Sequence, residues 1–294
     1  MEQIPPPEPA QGGVVVDVAA AGLNPHDLVV ASGLVRPAPV PYVPGVEGVG
    51  LTQDGTRVYF GYSVSPYGSF AERTLAVRQS VHAIPDELSD GSALAVGVAG
   101  TTALLSLTWK ARLQPGEKVL VLGATGGVGR IAVQAAKVLG AATVVAAGRN
   151  REVLDELREL GADEVVTLEG DYAAELLRVA DGGFDVVVDS LFGQPMVAGL
   201  LATRSGGRLV NLGMRAGRQV DLSGVALKGR DLLTYNGADV PPDAQREAFR
   251  RLTEHVVAGR IRAAFQELPL EEIERAWKAQ ARSPGTKLVL RPAK

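Results

Sequence analysis

The chain has 294 residues, with 30 Lys plus Arg against 33 Asp plus Glu, a net charge of −3 and no cysteine. Disulfide scaffolds and thiolate metal sites are thereby excluded, and the absence of a long basic run argues against nucleic-acid binding through phosphate neutralisation. With 46% hydrophobic and 21% charged residues, the chain can bury a large core, and at roughly 100–200 residues per domain two domains are expected. No apolar run approaches the ~20 residues needed to cross a bilayer. Met1–Ala10 lacks a charged and then apolar leader, so the expectation is a soluble, cytoplasmic protein that binds no membrane.

From Ile4 to Ile84 the pattern is one of short β-type runs, Val14–Val18, Arg57–Phe60 and Phe70–Val77, punctuated by Pro and Gly. This predicts a compact all-β unit. From about Ser92 the texture changes to dense Val and Leu runs at Lys118–Leu122, Thr143–Ala147, Glu164–Val166, Asp185–Val188 and Arg208–Leu212. Strands buried on both faces of a parallel sheet look like this, whereas half-exposed strands alternate. Between them lie segments of crossover-helix length, Gly129–Leu139, Arg151–Leu160, Tyr172–Val179 and Pro195–Leu201. The predicted fold class is therefore α/β, with a doubly wound parallel sheet. A helix follows over Pro242–Ala258, then a short one over Leu270–Gln280. The closing strand Lys287–Leu290 has no place in the βαβ series and is expected to return to the first domain.

Strand Lys118–Leu122 runs into Gly123-Ala124-Thr125-Gly126-Gly127-Val128-Gly129 and then directly into a helix. That context is what a dinucleotide fingerprint requires: Gly126 lets backbone approach a pyrophosphate, Gly129 lets helix pack on strand, and the helix N-terminus offers free N–H groups to the anion. Ala124 stands at the first glycine of the pattern. The end of the next strand reads Gly148-Arg149-Asn150-Arg151, without the carboxylate that would accept from a ribose 2′-hydroxyl. Guanidiniums there favour a 2′-phosphate, so NADPH is expected over NADH.

Asn24-Pro25-His26-Asp27, Pro44-Gly45-Val46-Glu47-Gly48-Val49-Gly50, Gly55-Thr56-Arg57-Val58, Gly68-Ser69-Phe70-Ala71-Glu72, Ala124–Gly129, Asp185-Val186-Val187-Val188-Asp189 and Gly285-Thr286-Lys287-Leu288-Val289-Leu290 occur in that order. The ordered set resembles the quinone oxidoreductase branch of the medium-chain dehydrogenase/reductase family. The resemblance implies a GroES-like, mainly β catalytic domain over 1–95 and 262–294 and a Rossmann dinucleotide-binding domain over 96–261. It also implies NADPH, and reduction of a quinone or activated alkene in the cleft between the domains. In the family's alcohol dehydrogenase branch two cysteines and a histidine hold a catalytic zinc. The matching positions here are Asn24, Val46 and Val98, none a strong zinc ligand. His26, His82 and His255 are too scattered to supply a triad, so no zinc is expected.

Without metal, the protein need only position and polarise an acceptor that takes hydride unaided. Asn24 can offer an amide to ribose or substrate oxygen, and Thr102 matches a threonine that relatives place near the nicotinamide. His26 stands where the zinc branch has a proton-relay hydroxyl and suits a general acid by its pKa range. Tyr42 and Tyr62 are candidate substrate contacts, whereas Tyr59 reads as core. Gly213, after Leu212, can let the nicotinamide amide meet backbone, and Ser190, after Asp189, is expected to flank the ribose. Asp27 and Glu47 are expected to support the cleft. Relatives use a tyrosine against the adenosine phosphate that is replaced near Leu168. Two rival readings are an enoyl-thioester reductase acting on CoA or carrier-bound substrates, and an NADPH-binding sensor or partner-binding protein without catalysis. The run Leu232-Leu233-Thr234-Tyr235 looks like an apolar edge strand, which predicts a homodimer.

Overall fold

The computed structural model describes residues 3–34 and 40–293. Met1 and Glu2, where the N-terminal stretch read above begins, lie outside the described residues. The chain divides into two compact units. Met1–Ala99, Pro242–Ala258 and Ala263–Lys294 form the first, and Gly100–Pro241 with Gly259–Arg262 the second.

Five strands come first: β1 (Gly13–Leu23), β2 (Glu47–Thr52), β3 (Arg57–Phe60), β4 (Arg73–Val77) and β5 (Val81–Ala83). Six follow in the second unit: β6 (Lys118–Leu122), β7 (Thr143–Gly148), β8 (Glu164–Thr167), β9 (Phe184–Asp189), β10 (Thr203–Asn211) and β11 (Asp231–Thr234). Strands β12 (Phe265–Pro269) and β13 (Lys287–Arg291) close the chain.

The first unit is built on a seven-stranded sheet in the order β12-β13-β1-β2-β3-β5, with β4 on β1. Strand β13 pairs antiparallel with β1, Ala21 opposite Leu290, so the closing strand does return to this unit. Its core gathers Val16, Leu23, Phe60, Leu288 and Leu290. Among the described residues, the segment expected to be all-β contains an α-helix, Pro25–Ala31. Its start is written locally: Pro25 opens it, and the Asp27 carboxylate reaches back to accept from the Asn24 N–H at 2.8 Å. Helix Pro242–Val257 also belongs to this unit, whereas the sequence reading places it in the Rossmann domain. The reason is aromatic packing: Phe249 stacks on Tyr59 at 4.4 Å between ring centroids and meets His82 at 5.5 Å.

In the second unit every strand pair is parallel. The order β11-β10-β9-β6-β7-β8, read from β8, is the 3-2-1-4-5-6 order of the Rossmann fold, whose direction of winding reverses between β6 and β9. Leu120, Leu122, Phe184, Leu176 and Met196 are almost fully buried in its core, each contributing about 1.5–3 kcal/mol by removal from water. The helical stretch Asp90–Lys110 departs from the expectation that no apolar run nears twenty residues. Its 21 residues, with mean hydropathy 1.4 over the most apolar window, are long and apolar enough to cross a membrane by length and composition, yet 72% of that window is buried inside the protein. Its apolar side chains are core.

Candidate functional site: a glycine turn and a buried ionic cluster

In the second unit the winding reversal brings the loops after β6 and β9 together. Gly123 leaves β6 in the left-handed region at φ +80°, and both its N–H and that of Ala124 donate to the Ala147 carbonyl at 2.9 Å. Gly126 precedes helix Gly127–Val138 with no side chain capping it, so the first-turn N–H groups are presented to an incoming anion. Gly129 is required by contact: a Cβ there would lie 2.3 Å from the Gly123 carbonyl oxygen and 2.6 Å from the Ala124 Cα. Ala124 is fully buried beneath the turn, Thr125 packs on Gly148 at the end of β7, and Gly127 and Val128 open the helix at its exposed end.

At the end of β9 the Asp189 carboxylate is fully buried. Burial pushes its pKa up, opposed by the bonds it accepts from Leu191 N at 2.9 Å, Phe192 N at 3.1 Å and Asn211 Nδ2 at 2.7 Å. Asn211 Nδ2 also donates to the Gly213 carbonyl at 2.8 Å. Asp189 therefore organises two loops from within. It also holds Phe192 at φ +59°, a conformation that costs a non-glycine residue of order 1–3 kcal/mol. Ser190, between them, has a buried Oγ with no hydrogen-bond partner among the described residues. Leu212 and Gly213 follow β10 on the same side, half-buried, with Leu212 N bonded to the Asp189 carbonyl at 2.7 Å.

The three residues after Gly148 differ in what they do. Arg149 is exposed and its guanidinium has no ion-pair partner among the described residues. Asn150 caps helix Arg151–Glu159, its side chain accepting from Val153 N at 3.2 Å. Arg151 pairs with Glu169 at 3.2 Å.

The first unit holds a second constellation. Glu47, fully buried, accepts from Asn24 Nδ2, Tyr59 OH and Val98 N at 2.8 Å each and from the Lys287 ammonium. Lys287 also donates to Asn24 Oδ1 at 2.8 Å, and Asn24 Nδ2 reaches the Gly22 carbonyl at 3.3 Å. The Asn24 amide is thus committed inside the cluster. It has no free N–H for a substrate oxygen, which corrects the role expected of it. Asp27 takes backbone N–H groups from Asn24 and Val46, and burial raises its pKa to about 7 against the pull of those bonds. Positions 24, 46 and 98, which the resemblance matches to zinc ligands, are each tied to at least one of these two carboxylates.

His26 is exposed on the first turn of helix Pro25–Ala31, and partial desolvation lowers its pKa. Tyr62 is 39% exposed, its phenol pKa raised by burial and then by Glu47. Tyr42 is half-buried in the loop before β2, and Thr102 half-buried on helix Val98–Leu105. Two residues of the cluster escape sequence reading. Lys287 passes there for the plain start of a strand, and Tyr59 for plain core. A Lys opening an otherwise apolar closing strand and a Tyr within a buried run both demand polar partners, and that demand is the available signal.

A zinc-binding dehydrogenase family profile matches residues 127–255. The quinone oxidoreductase of Lama guanicoe is 30% identical, the match covering 95% of this chain and 88% of that one. The chain belongs to the quinone oxidoreductase branch of the medium-chain dehydrogenase/reductase family. Among solved structures of this branch, the quinone oxidoreductase from Thermus thermophilus, determined also in complex with NADPH, superposes with a TM-score of 0.85 at 31% identity, covering 99% of this chain and 95% of that one. The quinone oxidoreductase of Pseudomonas syringae pv. Tomato DC3000 gives 0.88 at 25% identity over 99% and 94%. A phenolphthiocerol/phthiocerol polyketide synthase of Mycobacterium tuberculosis is 34% identical over 87% of this chain, which spans only 12% of that protein's length.

Proposed function

We propose that this chain is a zinc-independent, NADPH-dependent oxidoreductase that reduces a quinone or an α,β-unsaturated carbonyl compound. The observation that carries the reading is the crevice at the ends of β6 and β9, with Arg149 unpaired among the described residues where a ribose-binding carboxylate would otherwise stand. The residues present fit the dinucleotide: an uncapped helix N-terminus at Gly126, a close backbone approach at Gly129 that admits no Cβ, and an orphaned Ser190 hydroxyl. Bound there, NADPH supplies the hydride. The amides of residues 127–129 would hold its pyrophosphate, Arg149 its 2′-phosphate, and Ser190 Oγ and the Gly213 backbone its ribose and nicotinamide. For polarising the acceptor oxygen, Thr102 Oγ1 can donate at any pH. His26, in the first unit, can donate a hydrogen bond as neutral imidazole, but it can give up a proton as a general acid only as imidazolium, below its lowered pKa.

Zinc independence is supported by the donor set. The chain has no cysteine, and no group of three His, Asp or Glu gathers among the described residues. Elemental analysis of purified protein tests it, and stoichiometric zinc would end it. For the cofactor, calorimetry should give tighter binding of NADPH than NADH. Arg149→Ala should weaken NADPH about tenfold or more, since hydrogen bonds to charged groups contribute about 1.5–3 kcal/mol, and leave NADH within about twofold.

A second reading, enoyl-thioester reduction, is favoured by the 34% identity to a polyketide synthase. Stopped-flow oxidation of NADPH with quinones, enones and trans-2-enoyl-CoA separates the two, and tight binding with no acceptor-dependent turnover would indicate a binding protein instead. We also propose a homodimer through β11, an edge strand with Leu232 37% exposed. Light scattering on wild type and Leu232→Lys should read dimer and monomer.

A further inference from the structure

Beside the last residue of β7 the structure gives two arginines unlike surroundings. Arg149 has no carboxylate partner among the described residues, whereas Arg151 is paired at 3.2 Å with Glu169, both side chains more than half exposed. The backbone brings these two residues next to each other. Gly148 lies opposite Thr167 in the β7–β8 register, Leu168 N donates to the Gly148 carbonyl at 2.8 Å, and Asn150 anchors the helix that Arg151 begins. Arg130, on the helix after the glycine turn, is likewise occupied, by Glu156 at 2.6 Å. A carboxylate is therefore held beside the β7 terminus.

We propose that Glu169 is a specificity-setting residue, which holds Arg151 and sets its own charge against a phosphate at the β7 terminus. The preference for a phosphorylated dinucleotide is then weaker than two arginines would give. This rests on the dinucleotide reading above. A bound phosphate monoester carries about −1.5 to −2 charges, and a carboxylate within a Debye length of about 10 Å repels it. The exposed Arg151–Glu169 pair is itself worth little, since pairs of this kind typically contribute less than a factor of about five in an equilibrium. Arg151 is thus released at small cost once Glu169 is neutral.

Calorimetric titration with 2′,5′-ADP and 5′-ADP tests the idea without turnover. Glu169→Gln should raise the ratio of affinities, 2′,5′-ADP over 5′-ADP, about three- to tenfold, and at 1 M salt, where the Debye length falls to about 3 Å, the gain should largely vanish. Adding Arg151→Ala should remove most of the gain. An unchanged or lower ratio in Glu169→Gln, with wild type binding 2′,5′-ADP normally, overturns the proposal while leaving the dinucleotide reading intact. If wild type binds neither nucleotide, both fall.

Discussion

Replacing Lys287 by Met removes the ammonium bonded to the Glu47 carboxylate while keeping most of the stem that fills the site. The Glu47 side chain is 0% and that of Lys287 5% exposed. After the change Glu47 keeps three neutral donors, Asn24 Nδ2, Tyr59 OH and Val98 N, and Asn24 Oδ1 loses the Lys287 donor. Breaking a buried pair by removing one partner costs about 3–5 kcal/mol, because a buried charge is left uncompensated. At roughly 2–4 °C per kcal/mol for 150–250 residues, melting of this unit should fall by about 6–20 °C. Urea denaturation and calorimetry of wild type, Lys287→Met, Glu47→Gln and the double variant give a thermodynamic cycle. The double variant, neutral on both sides, should recover most of the loss, with a coupling of at least about 2 kcal/mol. A single-variant cost below about 1 kcal/mol, the level of a solvated surface pair, or strictly additive changes, would show that water solvates the ammonium and that the pair does not organise residues 22–24, 47 and 98.

Gly129→Ala sets a Cβ against the Gly123 carbonyl oxygen and the Ala124 Cα, both backbone atoms that cannot swing aside. NADPH affinity measured by fluorescence should drop at least about tenfold, and retention of wild-type affinity would remove the turn from the binding reading. Stability against pH separates two buried groups of opposite sign. Burial, and then the charge of Arg246, lower the His82 pKa from 6.5 to about 4. The unfolded chain therefore binds this proton more readily, and stability is lost as pH falls from about 6.5 to 4, by up to about 2 kcal/mol once the water reaching the ring is allowed for. Burial raises Asp27 from 3.8 to about 7, so its contribution is present at low pH and lost as pH rises from about 4 to 7. The two slopes offset each other in wild type. His82→Phe, which keeps the ring on Phe249, should gain melting temperature relative to wild type as pH falls from 6.5 to 4. Asp27→Asn should gain relative to wild type as pH rises over nearly the same range. Differences that do not vary with pH would refute both assignments.

Much of the second unit is legible in the sequence because its information is local. Parallel strands buried on both faces carry unbroken apolar runs, and Lys118–Leu122 begins and ends where its strand does. The glycine turn announces itself because close backbone approach admits no side chain, and the β13 return to β1 follows from a strand left over. Helix Pro25–Ala31 escapes the sequence reading although its capping residues are visible, because the Pro- and Gly-punctuated β texture around it carries more weight there.

Tertiary structure alone decided which polar residues meet. Asn24, Glu47, Tyr59, Val98 and Lys287 are separated by up to 263 positions and share one buried network, and no periodicity encodes a contact between distant segments. The placement of helix Pro242–Val257 was set the same way, by Phe249 finding Tyr59. Residue type marks which groups need a partner when water is excluded, but only the folded chain determines which partner is within reach.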